Sequence, residues 1–142
     1  MARQTLYERL GGKNAIVAVV DDFVARCAAD SRISPKFART DVPRLKAMLV
    51  EQVSAASGGP VTYTGRNMRE THDGMAVTAG EFDALVADLV ATLKQFNVPD
   101  TEQQELLGIL GPLRSDIVEI ESPATGTPIP QSYKNAAPLA RV

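Results

Sequence analysis

Residues 58–77 read GGPVTYTGRNMRETHDGMAV and carry the chain's only histidine, His72. Gly58, Gly59 and Pro60 open the stretch as a break, and Gly74 interrupts it, so it has room for only a short polar helix around His72, with Met68 and Met75 close by. On both sides the pattern changes to long amphipathic helices. Upstream, Asp41 is a suitable N-cap and Pro43 fits a first turn, and the helix that follows places Leu45, Met48, Leu49, Gln52, Val53 and Ala56 on one face. Lys46, Glu51 and Ser54 are expected outward or sideways. Downstream, Thr78 and Glu81 have capping-box spacing, and Phe82, Leu85, Val86, Leu89, Val90, Leu93 and Phe96 recur at helical intervals.

Further out the same logic holds. Thr5 and Glu8 form another capping box, so Leu6–Leu10 reads as a short helix stopped by Gly11 and Gly12. From Asn14 the residues Ile16, Val19, Val20, Phe23, Val24 and Cys27 form an apolar stripe that ends near Asp30. Ser31–Asp41 reads as a connector with one tight helical turn, anchored by Phe37. After Asn97 and Pro99 a last helix, capped by Asp100 or Thr101, carries Leu106, Leu107, Ile109, Leu110, Leu113, Ile117 and Ile120, with a kink at Pro112. No stretch alternates with period two, so the chain is read as all-α. From Ser122 the composition shifts to proline and small residues. We read residues 1–121 as the folded domain and 122–142 as a proline-rich flexible tail, disordered or loosely draped.

The 142 residues suit one domain, and 44% hydrophobic content is ordinary for a globular chain. A net charge of −2 with scattered Lys and Arg offers no footprint for nucleic acid and no polybasic membrane patch. The N-terminus lacks a signal-peptide core, and no apolar run approaches a membrane span, so a cytoplasmic location is expected. One cysteine excludes an internal disulfide; Cys27, on an apolar stripe, reads as a small buried hydrophobe.

Two roles are open to a lone histidine. It can pack on a helix face, held by a hydrogen bond, or it can ligate a metal. A structural zinc site needs about four nitrogen or sulfur ligands, which one histidine and one cysteine do not supply. Haem asks for only one protein ligand and an apolar slot.

Over roughly Thr5 to Ile120 the chain resembles the group I truncated haemoglobins. The resemblance rests on LYERLGGKNAI, VVDDF, the connector with Phe37 and Thr40, RLK, GGP followed by YTGRNM, His72 followed by DGMAVT, EFDALVADLVATLK and LGILGPL. It implies four main helices folded two-over-two around non-covalent haem b. His72 matches the family's proximal ligand to iron, and Phe37 its porphyrin-packing phenylalanine. Arg44 falls where the family often places a basic residue near a propionate, and Tyr63 and Arg66 lie in a loop that approaches the haem edge. Leu45, Met68, Phe82 and Val86 match apolar pocket positions, and Leu49 is a further pocket residue that departs from the family pattern. The same resemblance implies a diatomic gas (O2, CO or NO) as ligand; a reductase partner and a monomer are further expectations, and the charge and hydropathy point to neither nucleic acid nor membrane.

Two departures change the expected chemistry. The family usually has Phe-Tyr where this chain has Phe23-Val24, and commonly a glutamine at the position of Leu49, so both usual donors to bound gas are absent. Dioxygenation of nitric oxide, associated with several relatives, is therefore expected to be weak at most, as is any peroxidase-like activity. Gln52, one turn further along, is expected at the helix flank, with an inward turn that replaces a missing donor as the alternative. Met48 stands where some cyanobacterial members carry a second, distal histidine, so a six-coordinate His72/Met48 iron for redox or sensing is an alternative, with Lys46 a weaker candidate ligand. A haem-free interaction module is a third reading. With one histidine and no Cys-x-x-Cys-His, covalent attachment of haem by those routes is excluded.

Overall fold

The computed structural model describes residues 4–37, 41–60, 72 and 74–130. Among them the only regular elements are helices, with one isolated parallel bridge between Thr78 and Ile120. Helix α1 (Leu6–Arg9) opens with the expected capping box: Thr5 Oγ1 accepts from the Glu8 amide, and Glu8 Oε1 accepts from the Thr5 amide at 2.9 Å. Gly11 and Gly12 then turn the chain with φ of +108° and +78°, conformations that a Cβ disfavours.

Helix α2 (Gly12–Ala29) is the centre of the packing. Its buried residues Ile16, Val20, Val24 and Cys27 are spaced four, four and three apart, which keeps them on one face. Ile16, Val20 and Val24 pack against Leu49, Val50 and Val53 of α3 (Val42–Ala56). Cys27 packs with Ile33, beside the 3₁₀ turn Ser34–Phe37, and with Ala84 of α4 (Ala79–Gln95). Leu6, Leu89, Leu93 and Leu106 form a further cluster that seats α5 (Asp100–Leu110) under α4 and α1. Leu93, 1% exposed, contributes about 1.5–3 kcal/mol by burial alone. Arg9 bridges to Glu102 and Glu105 at 2.7 and 2.6 Å, holding α1 on α5.

Helix α3 starts as expected, with Asp41 accepting from the Arg44 amide, and α4 carries its Thr78/Glu81 capping box. Pro112 breaks the last helix into a 3₁₀ turn, Gly111–Leu113, and a short α6 (Arg114–Ile117).

Several expectations need correcting. Ser54 is buried and Ala56 exposed, because α1 lies along the end of α3, where the Tyr7 amide donates to Ser57 O at 2.8 Å. Asp100 does not cap α5; Pro99 occupies that position, and Asp100 sits in the first turn, where its charge still suits the helix dipole. Phe96 is 39% exposed, because α4 ends there: Val98 N bonds back to Leu93 O through Asn97 at φ +57°, and the turn carries the ring outward. Ile109 and Ile120 are also exposed, and the helix stops at Ile117, before Ile120. In the connector Ile33 is buried more deeply than Phe37, and so is Lys36.

Of the two forms expected after Ser122, the described part, 122–130, takes the draped one, lying across the start of α4 and the 3₁₀ turn.

Candidate functional site

The helices enclose an apolar cavity of about 310 Å³. Its wall draws on α2, the 3₁₀ turn, α3, α4 and α5, and His72 and Met75 close it on one side. Among the wall residues, only Lys36, Gln52, His72 and Glu81 bear strongly polar side chains. Phe37, Leu45, Met48, Leu49, His72, Phe82 and Val86 all line it. Val24, 4% exposed, and Phe23 belong to the same wall, so an apolar side chain stands at each position where a donor was missed in the sequence. Gln52 faces the cavity rather than only the helix flank. Arg44 is exposed at the start of α3 and off the wall. Tyr63, Arg66 and Met68 lie outside the described residues.

His72 is helical and half-buried. Its carbonyl accepts from the Met75 amide at 3.0 Å, and the loop behind it is held from the far end of the chain. The Glu119 carboxylate accepts from the Gly74 amide at 3.1 Å and the Ala76 amide at 2.7 Å, while Val77 O accepts from the Glu119 and Ile120 amides. Ala76 sits at φ +58°, a left-handed conformation costing a non-glycine residue about 1–3 kcal/mol, which these bonds sustain. Glu119 was not legible as a positioning residue, because 47 residues of chain separate it from His72 and only the fold brings them together.

Among the described residues no three His, Cys, Asp or Glu side chains are grouped to hold a bare metal ion. A metal here must bring its other ligands with it. An apolar cavity with a single imidazole fits a flat, largely apolar macrocycle whose iron takes one axial nitrogen.

Charged groups cluster at two places, one on the wall and one behind it. Lys36 and Glu81, with side chains 5% and 1% exposed, stand 3.5 Å apart. Burial pushes the Glu81 carboxyl up, but hydrogen bonds from Thr78 and Thr127, with the Lys36 charge, outweigh it and hold the group below its usual range. Neither buried charge was expected from the sequence; Glu81 reads there only as a cap.

Behind Cys27, whose thiol burial pushes up, Asp30 faces Asp88. Arg32 Nη2 lies 2.8 Å from Asp30 and 3.6 Å from Asp88. Arg32 holds Asp30 well below the usual carboxylate range. Burial, then the neighbouring Asp30, push Asp88 from 3.8 up to about 6, and its Oδ2 is buried without a hydrogen-bond partner. A carboxyl raised in the folded state gives stability that is full below its unfolded value, near pH 4, and lost as pH rises through about 6. Asp88→Asn, whose amide can donate to Asp30 without ionising, is expected to flatten that loss. Chemical denaturation should find the variant gaining stability relative to the parent as pH rises from about 4 to 7. Equal pH profiles would show that Asp88 does not share its proton with Asp30.

A short first helix, a glycine turn, two long helices before the histidine and two after it, around one apolar cavity, define a globin reduced to its two-over-two helical sandwich. The bacterial-like globin family model matches residues 5–119. The group 1 truncated hemoglobin GlbN of Mycolicibacterium paratuberculosis is 36% identical over 118 residues, covering 83% of this chain and 87% of that protein. That of Synechocystis is 39% identical over 111 residues, covering 75% and 90%. Among solved structures, the Fe(III) truncated hemoglobin of Tetrahymena pyriformis superposes with a TM-score of 0.78 at 36% identity, covering 81% of this chain and 98% of that one. The Synechococcus 2/2 hemoglobin, whose heme is covalently attached, gives 0.78 at 32% identity with the same coverage. The chain therefore belongs to the bacterial-like globin family, among the group 1 truncated haemoglobins, and the cofactor of this family is haem. No described helix is long and apolar enough to cross a membrane.

Proposed function

We propose that this chain is a haem b protein that binds a diatomic gas at iron ligated by His72, behind an apolar distal wall. The observation that supports this best is the cavity itself: its one imidazole is His72, and Val24, Leu45 and Leu49 all contribute apolar side chains to its wall. Haem held there by His72 would supply an iron centre able to bind a small gas. In this reading Phe37, Phe82, Val86 and Met68 flank the ring, Arg44, Tyr63 and Arg66 meet its propionates, and Val24, Leu45 and Leu49 keep water out. Neither Val24 nor Leu49 gives the ligand the hydrogen bond that favours oxygen, so carbon monoxide and nitric oxide are favoured relative to oxygen, and dioxygenation of nitric oxide is weak. The protein then works with a reductase, as a monomer, in the cytoplasm.

Met48 on the same wall supports a second reading, a six-coordinate His72/Met48 iron suited to redox or sensing. Absorption spectra of the ferric and ferrous protein, with and without carbon monoxide, separate the two. High-spin spectra that convert at once with carbon monoxide are expected for the open gas site. A low-spin resting spectrum that Met48→Ala turns high-spin would establish the second. No haem band after reconstitution would leave only a haem-free module.

A further inference from the structure

We propose that residues 119–128 form a strap that locks the haem cavity shut and sets how fast the cofactor is lost. Three parts of the cavity wall are joined by no common helix: the loop behind His72, the first turn of α4, and the 3₁₀ turn with Lys36 and Phe37. One run of chain ties all three together.

It begins at Glu119, which holds the Gly74 and Ala76 amides behind His72. Ser122 O then accepts from the Gly80 amide at 3.0 Å, and Ala124 O accepts from the Thr78 hydroxyl, both at the start of α4. The Gly126 amide donates to Arg32 O at 2.6 Å. Thr127 completes the run: its amide and hydroxyl donate to Glu81 Oε2 at 2.8 and 2.7 Å. Lys36 Nζ donates to Thr127 Oγ1 at 2.8 Å and to the carbonyls of Thr127 and Pro128 at 3.0 Å.

The physical reason lies in the two cavity-wall charges. A buried Lys–Glu pair separated by 3.5 Å satisfies few of its own hydrogen-bonding groups, and breaking up the partners of a buried charge is costly. Thr127 and Pro128 supply the missing partners, so strap docking and the closed position of Lys36, next to Phe37, are one cooperative event. The family model matches residues 5–119, and residues 122–128 lie beyond that match.

The proposal rests on haem occupying the cavity. Gly80 offers the cleanest test. Alanine favours a helix more than glycine does, yet a Cβ at Gly80 would lie 2.6 Å from the Pro123 carbonyl carbon and 2.7 Å from Ala124 O, so Gly80→Ala displaces the strap while strengthening α4. Thr127→Val removes the hydroxyl shared by Lys36 and Glu81. Transfer of haem to excess haem-free myoglobin, with hydrogen exchange of the Gly126 and Thr127 amides in the same full-length proteins, reads the outcome. Both variants are expected to speed exchange at those amides and to speed haem loss by about tenfold or more. Faster exchange with unchanged haem loss, or unchanged exchange in both variants, overturns the strap. If no haem band forms at all, the proposed function fails and the strap's hold on the cofactor fails with it, whereas a normal haem band with unchanged haem loss in both variants fails the strap alone.

Discussion

His72→Ala is expected to leave a folded protein that no longer takes up haem. The side chain is half-buried on the cavity lining, so its removal should cost the haem-free chain no more than an ordinary partly buried substitution, about 1 kcal/mol. The cofactor, by contrast, would lose its only imidazole. Losing a group that merely orients a metal ligand lowers metal affinity roughly 10–100-fold, and losing the ligand itself should exceed that. Haem titration followed by the Soret band, together with the far-ultraviolet dichroism of the haem-free variant, measures both effects. An unchanged band and unchanged affinity would remove His72 from the iron and, with it, the gas-binding reading.

Val24→Tyr should produce the second large change, and in the opposite direction. Val24 lies on the cavity wall between Phe23 and the face of α3, so a phenol there can project into the space a ligand would use. A hydrogen bond from it to a strongly polarised ligand is worth roughly 1.5–3 kcal/mol, which slows oxygen escape by about 10–150-fold. Carbon monoxide accepts hydrogen bonds poorly and serves as the control. If the ring merely crowded the cavity, both gases would be affected alike; flash photolysis and stopped-flow displacement distinguish the cases. Leu49→Gln restores the other usual donor with little change of volume. If neither variant slows oxygen escape, the ligand does not sit against α2 and α3.

Much of this architecture was legible in the sequence because it is written in short-range chemistry. Both capping boxes, the Gly11–Gly12 turn, the Asp41 cap and the Pro112 break depend on residues within three or four positions of each other. The apolar stripes of α2 and α4 needed only helical periodicity. Misreadings fell where a distant segment overrules the local pattern. Ser54 is polar but covered by α1, and Phe96 and Ile109 continue their stripes yet are exposed. Of the site, His72 and Phe37 stood out by type and motif, whereas Gln52 was expected at the flank and lines the cavity.

By itself, then, the sequence determined the helices, their order, the family and the identity of the one imidazole, since these follow from periodicity, caps and motifs within single stretches. Only the tertiary structure decided the setting of that imidazole. Glu119 behind the His72 loop, the Lys36–Glu81 pair beside Phe37 and the Thr127 contacts that complete it join residues 43–91 positions apart. No local pattern marks such pairs. Each is a charge or a loop stable in its position only because another part of the folded chain supplies its hydrogen bonds.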